Sequence, residues 1–254
     1  MSAALFPSLL FLVLGTSVLS AILGMVGGVI LMGVFASILP VASAMVLHGA
    51  IQFAANGSRA LILRQAIAWP VVGRVALGAL GGVAVFAMFA AAPPRWLLLL
   101  SLGLMPWLGW ALARSGWPLD ITRPGFSFSC GGLISLASLL SGVSGPMQDI
   151  FFTHTRMNRQ QVVATKACIQ AFGHLLKILY YGALLDALRG SDTALLAGVP
   201  LWFLPASLAL APLGSWLGTR VLNAIGDAMF FRLTRAIVLL VGTLIVLRAL
   251  AEFL

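Results

Sequence analysis

The sequence predicts an all-α polytopic membrane protein, and three observations carry that prediction. Of 254 residues, 61% are hydrophobic and only 8% are charged, whereas a water-soluble domain carries about 25% charged residues. Mean hydropathy is +1.09. Apolar runs of about 20 residues, the length a helix needs to cross a bilayer, recur from end to end. So little charge cannot cover a water-facing surface. That excludes a soluble enzyme, a secreted disulfide scaffold and a nucleic-acid binder.

The elements follow in order, giving eight to ten apparent segments. Residues 3–39 form an apolar stretch too long for one ordinary crossing, interrupted by Gly24, Gly27, Gly28 and Gly33. Residues 41–63 form the next helix and carry His48, Gln52 and Asn56 within an otherwise apolar run. Helices over 70–92 and 95–113 come next, then a polar link at 114–124. Residues 125–152 are apolar but broken around 141–146, and helices over 160–181, 194–219 and 232–253 complete the chain. Trp69, Trp96 and Trp117 stand near segment ends, where tryptophan anchors a helix at the membrane interface. Every linker is short, so no extramembrane domain is expected. The first residues lack a basic stretch and a small-residue cleavage site, so a removable signal peptide is not expected. Cys130 and Cys168 sit in apolar context outside any CxxC pair and are expected to be small buried hydrophobes.

Charge decides the threading. Lys plus Arg number 15 and Asp plus Glu 6, a net charge of +9, and most basic residues fall in gaps between apolar runs. If residues 125–152 cross once, the loop cations divide seven against six; if the segment dips in and returns, they divide ten against three. The positive-inside rule prefers the second arrangement. At 28 residues the segment is also too short for two full crossings of about 20. A re-entrant hairpin fits, and such backbone is tolerated where protein or a water-filled cavity covers it.

An internal repeat extends this. Gly24-Met25-Val26-Gly27-Gly28 matches Gly142-Val143-Ser144-Gly145-Pro146 at an offset of 118. At that same offset His48 falls on Lys166, Gln52 on Gln170, Asn56 on His174 and Arg59 on Lys177. Gly78 and Gly82 match Gly214 and Gly218 at an offset of 136. Residues 1–113 and 125–254 are therefore expected to be two transmembrane repeats joined by a cytoplasmic linker, 114–124. Each would hold a broken hairpin plus three crossings. Three is odd, so the halves would enter from opposite sides, the inverted-topology plan of secondary transporters. Both termini would then be periplasmic.

The spacing of the polar residues points to a site. His48, Gln52 and Asn56, and likewise Lys166, Gln170 and His174, recur every four residues, so each set forms one helix face. A polar stripe on an apolar helix faces the bundle interior. The glycine turns can start half-helices whose exposed N–H groups suit an anion. Gly24, Gly27, Gly28, Gly142 and Gly145 would supply that backbone. Ser141 and Ser144 would add hydroxyls, and Pro146 suits a first helical turn. Lys166 is a full charge well inside a helix, whereas Lys177 lies nearer the far end and is expected to snorkel. With Asp149 the one nearby acid, the set favours a small anion over a cation. His48, His174 and Asp149 are candidates to carry a proton. The bland alternatives are interhelical hydrogen bonds for the imidazoles and amides and a structural Lys166–Asp149 pair. No CxxCH, GxSxG, HExxH or GxxxxGK pattern occurs, so neither an enzyme nor a cofactor or metal site is expected.

GMVGGVILMGVFASILP, followed by a polar helix ending in NGSR, resembles the first signature of the sulfite exporter TauE/SafE family, and SGVSGPMQDIFFTHTRMNRQQVVATK resembles its second. The resemblance covers nearly the whole chain and implies a bacterial inner-membrane permease for sulfite, sulfonates or related organosulfur anions. It places Gly24, Gly27, Gly28, Gly142 and Gly145 at the broken helices, with Ala164 and Thr165 as the small-hydroxyl pair opening the following helix. Gly33 stands where members often have proline. Met25 and Val26 thin the first glycine cluster, and Pro146, Met147 and Gln148 replace the second. These departures bear on the substrate more than on the fold. The expected function is alternating-access transport of a small anion with proton coupling. The alternatives are an anion channel and a non-transporting assembly or biogenesis factor; an intramembrane metalloenzyme is poorly served by three histidines. Expected partners are the anion and the lipid bilayer, with no nucleic acid and with the oligomeric state, a homodimer included, left open.

Overall fold

The computed structural model describes residues 5–23, 25–190, 195–196, 198–222 and 227–253, the side chains of 222 and 227–233 excepted. It is an all-α polytopic membrane protein, and among the described residues six helices are long and apolar enough to cross a bilayer. The helices are α1 (Leu5–Leu23), α2 (Val26–Ile38), α3 (Val41–Ile62), α4 (Trp69–Ala87), α5 (Arg95–Arg114) and α6 (Pro124–Ser141). After them come α7 (Gly145–Ile150), α8 (Arg159–Leu179), α9 (Leu185–Arg189), α10 (Phe203–Leu222) and α11 (Asp227–Phe253). A π-helical turn, Tyr180–Leu184, joins α8 to α9.

Proline and capping residues set the boundaries. Pro40 and Pro94 hold extended φ and ψ just before α3 and α5, while Pro70, Pro124 and Pro146 occupy first turns, where a missing N–H is free of cost. Asn158 and Gln161 form a reciprocal capping box at the start of α8. α6 stops at Gly142, which has φ +80°. That left-handed conformation strains any residue with a Cβ, and a Cβ there would also press on Met32 at 2.6 Å from its Sδ.

Four close helix pairs build the bundle. α1 runs parallel to α10: the Phe6 and Phe203 rings are 5.2 Å apart at their beginnings, and further along Gly214 and Gly218 face Leu14 and Val18. α4 runs parallel to α6, with Gly78 against Phe128 and Gly82 against Gly132. α5 is antiparallel to α11, with the Trp96 and Phe253 rings 5.1 Å apart and tilted, and Gly103 facing Gly242. α3 is antiparallel to α8, with Gly49 against Lys177 and Ile178, while Ala60 shares a cluster with Ala164 and Ala167. Glycine at these crossings lets backbones approach where lipid supplies no hydrophobic drive.

Helix ends and turns gather at two faces. At one, Arg95 donates to Leu39 O and Arg189 to Ala90 O, beside the starts of α1 and α10. At the other, Arg74 donates to Thr122 O, and Ala68 N to Thr165 Oγ1. Ile121 N donates to Phe151 O at 2.9 Å. That bond puts the two ends of the α6–α7 segment side by side.

Candidate functional site

A cavity of about 440 Å³ lies between α3 and α8, with α1, α2, α7 and α10 completing its lining. Its mouth is at the second face, where Arg59, Leu63, exposed Arg159 and Thr219 stand. Its deep end, where the lining is buried or half-buried, is made by Gly28, His48, Val143, Ser144, Gly145 and His174. Between them lie Gln52, Asn56, Asp149, Lys166 and Gln170. The polar stripes of α3 and α8 thus face one space.

The individual contacts divide these groups. Asn56 Nδ2 donates to Gln52 O at 3.0 Å, while Gln52 Nε2 is buried without a partner. His174 Nδ1 is likewise buried and unpartnered, its ring 5.5 Å from that of His48. A buried polar atom without a partner costs about 1–3 kcal/mol, so both atoms suit a ligand that enters the cavity. Lys166 Nζ pairs with Asp149, and both side chains keep partial exposure, 25% and 37%. The pair is neutral in sum. Among the described residues no group of three His, Cys, Asp or Glu side chains could hold a metal ion.

Several expectations are corrected. Gly24 lies outside the described residues. Gly27 turns away from the cavity and packs on α1, where a Cβ would overlap Thr16 O. Ser141 is spent locally, donating to Ala137 O at 2.8 Å and Val143 O at 2.7 Å, as a helix-end serine does when its own backbone is nearest. Gly142 is also off the lining, its carbonyl held by Lys177. Lys177 does not snorkel. It is fully buried, with Nζ 2.8 Å from both His48 Nδ1 and Gly142 O. Arg159, the exposed first residue of α8, stands at the mouth. Ser20 of α1 and Thr219 of α10 line the cavity without any sequence signal, since neither belongs to the matched stripes.

Outside the membrane-spanning helices, Asp120 marks the second face. Slight burial raises its carboxyl affinity for protons, but hydrogen bonds from Thr122 N and Oγ1, with Arg123 and Arg156 nearby, outweigh it and hold the pKa below the usual value.

Comparison with curated proteins gives no match, and comparison with solved structures gives none. Among family models, the one described as sulfite exporter TauE/SafE matches residues 9–245. Family members are transporters and not enzymes. With nearly all of its length matched, the chain belongs to the sulfite exporter TauE/SafE family and is a multi-pass bacterial inner-membrane transporter of small anions.

Proposed function

We propose that the protein is a secondary transporter of sulfite, a sulfonate or a related organosulfur anion, working by alternating access and driven by protons. The observation that carries this is the cavity: two matched polar helix faces enclose one space that opens at a cation-rich mouth and ends blind at two imidazoles. Beyond the blind end, Met32, Phe35, Met45, Tyr180 and Tyr181 belong to one buried core. A closed far half favours a carrier over a channel, and the conformation is then the one open to the cytoplasm.

The helix pairing supports an upside-down duplication. Exchange α1 to α5 for α6, α7, α8, α10 and α11. The parallel pair α1–α10 becomes the parallel pair α6–α4, while α3–α8 and α5–α11 each map onto themselves as antiparallel pairs. Counterparts that run antiparallel are what an inverted repeat requires. The basic second face is then cytoplasmic. In a cysteine-free background, single cysteines replacing Gln65 and Arg156 should react with an impermeant maleimide only from the cytoplasmic side, and those replacing Pro94 and Gly190 only from the periplasmic side. Labelling of all four from one side would sink the threading.

Within the cavity, Gln52, Gln170, Ser144 and the backbone at Gly28 and Gly145 would bind the oxyanion. Of the three proton candidates, His174 has the open nitrogen; His48 is bonded on both, and Asp149 is paired. The test is flux of radiolabelled sulfite into proteoliposomes. Uptake should saturate, respond to an imposed pH gradient and be inhibited by methanesulfonate. Gln170→Leu, which removes a cavity amide without adding charge, should raise the half-saturating concentration about tenfold, the cost of one lost hydrogen bond to a charged group. Wild-type protein giving no more flux than empty liposomes, for sulfite and sulfonates alike, would overturn the assignment.

A further inference from the structure

We propose that Lys177, rather than Lys166, supplies the positive charge that selects an anion at the blind end of the cavity. This rests on the cavity being the anion site proposed above. Lys166 is the cation midway along the lining, between Arg59 and Arg159 at the mouth and the imidazoles, but Asp149 on the facing hairpin compensates it. Lys177 has no such partner: among the described residues no carboxylate pairs with it, and its two neighbours are an imidazole nitrogen and a carbonyl.

The geometry defines how Lys177 is held. His48 Nε2 lies 3.1 Å from Gly28 O, and a carbonyl can only accept, so Nε2 carries the proton and donates. Nδ1 then presents a lone pair, which accepts from Lys177 Nζ at 2.8 Å. The other partner, Gly142 O, belongs to the residue that ends α6. The last carbonyls of a helix form the negative end of its dipole, where a cation is favoured. Leu139 O, one turn earlier, already accepts from Tyr181, so the lysine occupies the remaining end of that helix. Met32 packs against Gly142 from α2 and brings no charge. The titratable groups facing Lys177 from its surroundings are therefore His48, His174 and Tyr181. None of them is a carboxylate.

This chain of bonds, Gly28 O to His48 to Lys177 to Gly142 O, ties both broken turns to one ammonium. His48 and His174 line the cavity, so an anion at the blind end sits one imidazole from Nζ. Such a buried cation is costly without an opposite charge, and the incoming anion supplies it. A neutral solute of the same shape does not.

The experiment compares purified wild type, Lys177→Met and Lys177→Gln for displacement of bound radiolabelled sulfite by methanesulfonate and by dimethyl sulfone, its near-isosteric neutral counterpart. A unit charge at that separation is worth about ten- to thirtyfold in anion affinity. Wild type should prefer methanesulfonate, and in both variants the preference should fall by that factor while dimethyl sulfone is displaced as before. Lys177→Arg should restore part of the preference. Lys177→Gln keeps a donor for Gly142 O and decides the matter if the methionine variant does not fold. A preference unchanged in a folded variant, or both ligands weakened equally, would overturn the assignment and leave Lys177 a structural tie. Failure of wild type to bind any sulfur anion would instead count against the proposed function.

Discussion

Lys166→Ala is expected to abolish sulfite flux in proteoliposomes while leaving the protein folded. The reason is as much what it uncovers as what it removes. Lys166 and Asp149 form a compensated pair on the cavity lining. Removing the ammonium leaves an unpaired carboxylate facing the anion. Like charges about 6 Å apart at an effective dielectric of about 20 repel by roughly 3 kcal/mol, close to a hundredfold in affinity. Folding should survive because both side chains keep contact with water, so the exposed carboxylate is not stranded in a dry core.

The same reasoning gives the control. Asp149→Asn added to Lys166→Ala should recover much of the lost flux, because the repulsion disappears with the carboxylate. Additive losses would mean that the ion pair acts only by joining α7 to α8. Wild-type flux in Lys166→Ala alone would remove both residues from the transport path.

Much of this arrangement was legible before any fold was known, because the signals were local. Hydropathy placed most of the helices, but the one expected over 194–219 begins only at Phe203, because apolar residues before it form turns instead of helix. The four-residue spacing of His48, Gln52 and Asn56 and of Lys166, Gln170 and His174 fixed which sides of α3 and α8 turn inward. Length and loop charge led to the expectation that residues 125–152 return to their starting face, and the Ile121–Phe151 bond, which puts the ends of that segment side by side, supports this reading.

What escaped depended on distant backbone. Lys177 looked like a snorkelling residue because its place near a helix end was visible and its partners were not. One partner is a carbonyl 35 residues away, and carbonyls have no sequence identity. Gly27 and Gly28 illustrate the same limit. They are adjacent and chemically identical, yet one packs on α1 and the other lines the cavity. Ser141 was spent on its own turn, a choice set by local geometry and not by residue type.

The glycines offer the sharpest stability test because neighbouring positions should respond with opposite sign. Gly→Ala in a helix ordinarily stabilises it by up to about 1 kcal/mol through propensity. Gly131 of α6 lies against α4, where a Cβ would overlap Val75 O, and Gly78 meets Phe128 O in the same way. Both obstacles are backbone and cannot rotate aside, so the two parallel helices must separate along their length. Overpacking of this kind costs about 1–3 kcal/mol, which outweighs the propensity gain. Gly132, the next residue along, has only an ordinary contact at 3.7 Å from Gly78 O, and Gly81 faces open space. Gly131→Ala and Gly78→Ala should therefore lower the thermal unfolding midpoint in detergent by several degrees, with correspondingly less folded protein in the membrane. Gly132→Ala and Gly81→Ala should leave it unchanged or raise it. If Gly131→Ala and Gly132→Ala behaved alike, α4 and α6 would not cross where Gly78 meets Phe128, and the hairpin that α6 begins would have lost its anchor in the fold.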